Sequence, residues 1–260
     1  MKNRVCIVIP TYNEAENLVK LVDQIFGLHP DFNIIIVDDN SPDGTGIIAD
    51  SLSAKDSRVL VFHRPTKAGL GTAYIKGFQE ALLRGADLIF EMDADFSHDP
   101  KYLQDFLEAS KKSDLVIGSR YINGVRVEGW RFRRLLLSKF ANMFVSYIMV
   151  KPVWDFTAGF RCYRRKVLET IDLEKIHSDG YAFQIEMTYH TFKHGFRVFE
   201  VPIIFKERLQ GSSKISRRII WEAFWLTFKC RASLMEIVKH LSFLFKDYNE
   251  FIAKDQPQDH

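Results

Sequence analysis

The first half of the chain alternates apolar runs with amphipathic ones. VCIVI at 5–9 is followed by Leu18, Leu21, Val22 and Ile25 at helical spacing, and then by IIIV at 34–37. Such alternation predicts a parallel sheet covered by helices. Further strand candidates lie at Val59–Phe62, Asp87–Met92 and Leu115–Gly118, with helices near Thr72–Leu83 and Tyr102–Lys111. The order β-α-β-α-β-α-β-α-β therefore predicts an α/β fold, a Rossmann-like and mostly parallel sheet sandwiched by helices. After residue 120 the pattern loosens into a basic stretch at 126–134, a helical apolar run at 135–150 and a turn-rich segment around Trp154–Arg161. A last strand, Arg197–Phe205, leads through the polar loop KERLQGSSKISRR to an aromatic helix near Ile219 and a tail after Asp247.

Sheets of this kind bind ligands at the carboxyl ends of their strands, so chemistry is sought there. Those ends read PTYNE, DDNSPDG and DADFSHD. Asp93 and Asp95 follow the buried-type run LIFEM, which delivers two hard carboxylates to the sheet edge. An open pair of this type suits Mg²⁺ or Mn²⁺, ions that complete their coordination with water and substrate phosphates. The competing reading is that Asp95, Ser97 or Asp99 caps a helix starting at Pro100. Asp38 and Asp39 could hold a base or ribose, or could serve an Asx turn ahead of a helix beginning around Thr45. Thr11 or Asn13 could likewise be a cap. No GxGxxG or GxxxxGK[ST] motif follows a strand, which removes support for dinucleotide and P-loop readings. The cluster Ala68-Gly69-Leu70-Gly71-Thr72 reads as a loop that lets backbone approach a nucleotide, or as a structural turn. His63 and His98 read as structural.

The bulk numbers narrow the class. With 260 residues and 47% hydrophobic content the chain can bury one sizeable core. Lys and Arg total 36 against 33 acids, so the net charge of +3 provides no nucleic-acid-like basic field. The three cysteines, Cys6, Cys162 and Cys230, are too few and too far apart for a disulfide framework or a zinc site, which fits a reducing cytoplasm. The apolar stretches at 135–150 and 219–245 are broken by charged or polar residues, so neither reads as a membrane span.

PTYNE, DDNSPDGT, KAGLGTAY and MDADFSHDP stand in order at strand ends, with GSRY and RLQGSSK further on. As a set, from Val5 to about Ile215, they resemble family 2 glycosyltransferases of the dolichyl-phosphate mannose synthase type. The resemblance implies a GT-A fold and inverting transfer of mannose from GDP-mannose to a polyprenyl (dolichyl) phosphate. It implies that Pro10, Tyr12, Glu14, Val37 and Asp39 line the donor nucleotide pocket, and that Asp93 and Asp95 bind the Mg²⁺ or Mn²⁺ ion. Ser97 stands where some members carry Gln. On the acceptor side it implies phosphate binding by Arg120, Arg134, Ser138, Arg208 and Lys214, with Arg208 counted beside Asp93 and Asp95 as catalytic.

This inventory suits the reaction. A phosphomonoester acceptor already carries about −1.5 to −2 charge near neutral pH, so it needs cations more than a general base. Arg134 and Ser138 share a helix face, and Arg208 and Lys214 flank a Gly-Ser loop. The expected domains are a catalytic unit over 1–215, an amphipathic helical segment over 216–248 and a flexible tail over 249–260. Trp221, Phe224, Trp225 and Phe228 would give that segment an aromatic face for the core, a membrane interface or a partner's membrane helices. The expected setting is cytoplasmic, peripheral on the cytoplasmic face of a membrane, with small membrane-anchoring subunits as allowed partners and no nucleic acid. The rival readings are another polyprenyl-phosphate glycosyltransferase with a donor such as UDP-glucose, and a nucleotide-sugar-binding module without catalysis.

Overall fold

The alternation of the first half is present in full. β1 (Val5–Thr11), α1 (Leu18–Leu28), β2 (Asn33–Asp38), α2 (Thr45–Lys55), β3 (Val59–His63), α3 (Leu70–Leu83), β4 (Leu88–Glu91), α4 (Leu103–Ser110) and β5 (Leu115–Ser119) follow in that order. They are succeeded by β6 (Val127–Glu128), α5 (Phe132–Met149), β7 (Arg161–Arg164), α6 (Arg165–Thr170), α7 (Gly180–Lys193), β8 (Val198–Pro202) and β9 (Phe205–Lys206). The structure is a computed structural model and describes residues 3–130, 132–149, 151–207, 225–228 and 230–232. Arg208, Lys214, Trp221, Phe224 and the expected tail lie outside the described residues.

A seven-stranded sheet runs β3-β2-β1-β4-β7-β5-β8. β1 is parallel to β2 and β4, β2 to β3, and β5 to β8. The strand order reverses between β1 and β4, which opens the crevice where doubly wound sheets take their ligands. β7 is antiparallel to both neighbours and separates β4 from β5. The sequence reading has no strand there, because RCYR carries two arginines and shows no apolar run. The expected strand over Arg197–Phe205 is split at Pro202, which has no N–H to give to a ladder. Its second part, β9, pairs instead with β6 in a small separate sheet.

Alternate strand residues point to opposite faces of the sheet, and two cores follow from this. Val5, Ile7, Ile9, Ile34, Ile36 and Phe90 pack against Leu18, Leu21 and Ile25 of α1 and Leu103 and Phe106 of α4. Cys6, Val8, Ile35, Val37 and Ile89 face Tyr74 and Phe78 of α3 and Phe183 of α7 on the other side. The described residues of the C-terminal helix join this second core. Cys230 and Thr227 are buried, the Phe228 ring meets Phe144 of α5 edge-on at 5.9 Å, and Arg231 Nη1 donates to Ile148 O at 2.6 Å. All three cysteines are buried and lie outside any disulfide.

α3 lies unusually close to the sheet. A Cβ at Gly77 would fall 2.1 Å from Val8 Cγ1, so only glycine permits this contact. Gly77→Ala is predicted to destabilise the protein by about 1–3 kcal/mol through overpacking. In denaturant melts, combining it with Val8→Ala should give a loss smaller than the sum of the two single losses. Additive losses would show that the α3–β1 contact does not set the spacing.

Candidate active site

At the ends of β1 and β2 the motif residues first bond to one another. Asp38 accepts from Thr11 Oγ1 at 2.9 Å, from Ser41 Oγ at 2.6 Å and from Ser41 N at 3.1 Å. Asp43 accepts from Thr45 Oγ1 at 2.6 Å and Ala15 N at 3.1 Å, while Thr45 Oγ1 in turn accepts the Glu14 N–H at 2.9 Å. Partial burial disfavours the Asp43 carboxylate, but the hydrogen bonds from Thr45 and Ala15 outweigh it and hold the group below its ordinary range. PTYNE and SPDGT are thus one stitched wall, and Asp38 is its turn anchor.

Asp39 has a different partner. Arg64 grips it bidentately, with Nε on Oδ1 and Nη2 on Oδ2 at 2.6 Å, and both side chains are largely buried. The same guanidinium donates to Gly69 O at 2.8 Å and Thr72 Oγ1 at 2.6 Å. Tyr12 is exposed, with Lys67 Nζ 3.8 Å above its ring. Glu14 and Pro10 are partly exposed beside it. Val37, expected in the same pocket, has its side chain fully buried in the α3-side core. The glycine cluster turns out to face protein: at Gly69, with φ +105°, an added Cβ would lie 2.8 Å from Asp179 Oδ2, and Gly71 N donates to Asp179 Oδ1 at 2.8 Å.

β4 delivers the DAD segment. Tyr74 Oη donates to Asp93 Oδ1 at 2.9 Å, Asp93 N donates to His98 Nδ1 at 3.0 Å and Ser97 N donates to Asp95 Oδ1 at 3.0 Å. Phe96 sits at φ +61°, a strained position for a bulky residue that this folded-back loop requires. Of the three residues offered as a cap before Pro100, Asp99 takes the role, accepting Lys101 N at 3.1 Å. Asp93 and Asp95 are therefore left to the loop itself. Ser97 Oγ is buried with no hydrogen-bond partner among the described residues. Two carboxylates and a spare hydroxyl are hard oxygen donors that fit a divalent ion open to phosphate. Among the described residues no group of three or more His, Cys, Asp or Glu could hold a metal ion.

Beneath the loop lies a buried polar cluster that gives no sequence signal. Burial pushes Glu91 up to about 7, against the Arg161 charge and the hydrogen bonds from Gln184 and Tyr163. Gln184 Nε2 donates to Glu91 Oε2 at 2.7 Å. Fully buried Arg161 donates to Ala158 O at 2.7 Å, Phe156 O at 2.7 Å and Thr188 Oγ1 at 2.8 Å, tying the segment before β7 to α7.

The described residues of the expected acceptor set meet at α5. Arg134 Nη1 donates to Glu207 Oε1 at 2.7 Å, and its guanidinium lies 4.1 Å over the Trp130 ring. Ser138 Oγ accepts from Tyr121 Oη at 2.7 Å. Arg120 is engaged differently. It is buried, donates through Nε and Nη2 to Asp155 at 2.7 and 2.6 Å, and reaches Thr157 Oγ1 at 2.7 Å. Glu200 in turn accepts from Trp154 N at 2.8 Å and Asp155 N at 2.9 Å. In this arrangement Arg120 is an internal tie that orients the wall behind Ser138.

The strand-end carboxylates thus gather at the carboxyl edge of a doubly wound sheet, where such sheets take their ligands. Residues 6–172 match the family described as Glycosyl transferase family 2, and the chain belongs to that family of glycosyltransferases. It is 49% identical over 224 residues to a polyprenol monophosphomannose synthase of Mycolicibacterium smegmatis, covering 85% of this chain and 84% of the relative. It is 46% identical over 220 residues to an undecaprenyl-phosphate mannosyltransferase of Micrococcus luteus, covering 85% and 90%. The fold is GT-A-like. A glucosyl-3-phosphoglycerate synthase from Mycobacterium tuberculosis, solved with Mn²⁺, uridine diphosphate and phosphoglyceric acid, superposes with a TM-score of 0.65 at 18% identity, over 86% of this chain and 78% of that one.

The Arg120–Asp155 pair makes a prediction of its own. Asp155→Ala leaves a buried guanidinium uncompensated and should destabilise the fold by about 3–5 kcal/mol. Arg120→Lys keeps the charge but loses the fork and should fall between parent and Asp155→Ala in a thermal melt. Equal melting of all three proteins would dismiss the pair as a structural tie.

Proposed function

We propose that the chain transfers mannose from GDP-mannose to a polyprenyl phosphate of the dolichyl class, with inversion, at the cytoplasmic face of a membrane. The two relatives, a polyprenol monophosphomannose synthase and an undecaprenyl-phosphate mannosyltransferase, support the acceptor and the sugar. The observation that carries the reading is the two-sidedness of α5. Ser138, Asn142, Val145 and Met149 face inward, with Arg134 on the same side. On the opposite side Phe132, Leu136, Phe140, Met143 and Tyr147 form a stripe, with Phe132 71%, Phe140 68% and Tyr147 80% exposed. The helix has no acid and adds exposed Arg133 and Lys139. A phosphate-binding helix with an apolar outer face suits an acceptor whose phosphate sits at the surface of an anionic lipid layer. Among the described residues no helix is long and apolar enough to cross a membrane.

In the reaction an oxygen of the acceptor phosphate forms the bond to the anomeric carbon as the bond from that carbon to the donor diphosphate breaks. The products are polyprenyl-phosphate mannose and GDP. The attacking oxygen is already ionised, so no residue has to remove a proton. The wall of Tyr12, Glu14 and Asp39 receives the nucleotide. Asp93 and Asp95 would hold a Mg²⁺ or Mn²⁺ ion, which supplies stabilisation of the charge that develops on the departing diphosphate. Arg134 and Ser138, with Arg208 and Lys214 of the following loop, would receive the acceptor phosphate. Arg134 gives up Glu207 for it at little loss, since that ion pair is partly exposed.

A turnover assay with a short polyprenyl phosphate, screened against GDP- and UDP-sugars, tests the reading directly. Transfer from GDP-mannose alone is the expected result, and transfer only from UDP-glucose would reassign the donor. Asp93→Asn and Asp95→Asn should lose turnover with unchanged far-ultraviolet circular dichroism, and chelator should reproduce the loss. Arg134→Ala should lower acceptor kcat/KM about ten- to a hundredfold, as removal of a charge-assisted hydrogen bond worth about 1.5–3 kcal/mol implies, with little change in donor affinity. Leu136→Glu with Phe140→Glu should abolish cosedimentation with anionic phospholipid vesicles. Undiminished vesicle binding would place the membrane contact elsewhere.

A further inference from the structure

The segment AGLGTAY, whose glycines face Asp179, carries its functional group one turn further on. Tyr74 is fully buried, and its ring is stacked between Phe78 and Phe183 at centroid distances of 6.0 and 6.1 Å. A fully buried ring packed against two aromatic neighbours is held in place, so the hydroxyl that meets Asp93 Oδ1 at 2.9 Å has a fixed direction. His98 holds the same residue from the other side: its Nδ1 accepts the Asp93 N–H, and its ring is stacked over Phe160 at 5.1 Å. One tie fixes the backbone at position 93 and the other fixes its carboxylate.

α3 is itself fastened at its start. Arg64 holds Gly69 O and Thr72 Oγ1 while gripping Asp39, and Asp179 holds Gly71 N. The helix therefore connects the nucleotide wall to the carboxylate pair without a flexible joint. Packing gives no reason for the hydroxyl, because phenylalanine would fill the same space between Phe78 and Phe183 and leave no polar atom to satisfy.

We propose that Tyr74 is a positioning residue for the metal site, whose hydroxyl fixes the Asp93 carboxylate in the orientation in which it and Asp95 receive a divalent ion together with a nucleoside diphosphate. The proposal rests on the reading of Asp93 and Asp95 as the metal ligands. Hydrogen bonds to a ligating carboxylate restrict its rotation before the ion arrives, and losing such a partner commonly weakens metal affinity by about 10–100-fold.

The test is a Mn²⁺ titration of the full chain, followed by electron paramagnetic resonance in the presence of saturating GDP, with melting temperatures recorded in parallel. Tyr74→Phe should weaken Mn²⁺ binding about 10–100-fold, and raising Mn²⁺ should return kcat toward the parent while the metal concentration for half-maximal rate stays raised. Tyr102→Phe is the control. It removes a hydroxyl that accepts the Ile204 N–H at 3.0 Å, away from Asp93, and should keep the parental Mn²⁺ affinity. If Asp95→Asn abolishes Mn²⁺ binding while Tyr74→Phe stays within twofold of the parent, the assignment of Tyr74 is wrong and the metal reading stands. The same holds if Tyr74→Phe melts early yet binds Mn²⁺ normally, or if Tyr102→Phe loses as much affinity. A parent protein that binds no Mn²⁺ with GDP overturns both.

Discussion

The contact between Gly77 on α3 and Val8 on β1 sets the geometry of the donor end. With no side chain at position 77, the helix axis can settle onto the sheet, and everything α3 carries is placed relative to β1 and β4. Three consequences share this one spacing. Gly69 and Gly71 fit against Asp179, Thr72 comes within reach of Arg64, and the Tyr74 hydroxyl arrives at Asp93. Well-packed interiors transmit displacements of a few tenths of an ångström rather than absorbing them. A helix lifted off the sheet would therefore loosen the Arg64–Asp39 pair and the Asp93 carboxylate together.

The parts of this architecture that were legible in the sequence are those where burial is one-dimensional. β1, β2, β4 and β5 are covered on both faces and so read as continuous apolar runs, and α1 shows Leu18, Leu21, Val22 and Ile25 because one side of it is wet. α7 gave no such signal. Its buried side includes polar Gln184, Thr188 and Thr191, and only Glu186, His190 and Lys193 mark the other side, so the period is faint. β7 escaped for a related reason: Arg161 satisfies its charge on carbonyls and hydroxyls contributed by residues 156–188, which no local pattern reveals. The carboxylates at strand ends were visible as residues, but their division of labour was not. Whether Asp38 or Asp39 faces the ligand wall depends on Thr11, Ser41 and Arg64, partners as many as 27 residues away. Arg120 matched a motif position, yet Asp155 and Thr157 decide what its guanidinium does.

Two buried ion clusters flank the crevice, and neither is well explained by stability. Desolvating Glu91 and Arg161, or Arg120 and Asp155, opposes folding by an amount that attraction between the partners only offsets, and apolar residues of the same volume would often serve as well. What such clusters supply is direction. Arg161 fixes the 156–158 segment against α7, and the Arg120–Asp155–Glu200 chain fixes residues 154–157 against β5 and β8. Asn142 then meets Thr157 through two hydrogen bonds, which carries that order into α5. The inner face of α5 thus inherits its position from buried charges on other elements.

α5 is where these constraints become a statement about environment. Its inner face must keep Ser138 and Asn142 in register with Tyr121 and Thr157, so the helix cannot rotate to hide the opposite face. That face carries Phe132, Leu136, Phe140, Met143 and Tyr147 in the open. Among the described residues of the neighbouring C-terminal segment, Thr227 and Cys230 are buried and Trp225 is 65% exposed. Contiguous apolar surface on this scale is unfavourable in water and normally marks a contact. A helix pinned on one side by polar bonds cannot turn its apolar side away from water, and the same pinning holds Arg134 and Ser138 on its inner face. On the function proposed above, recognition of a phosphate and residence at a lipid surface would be two faces of a single helix.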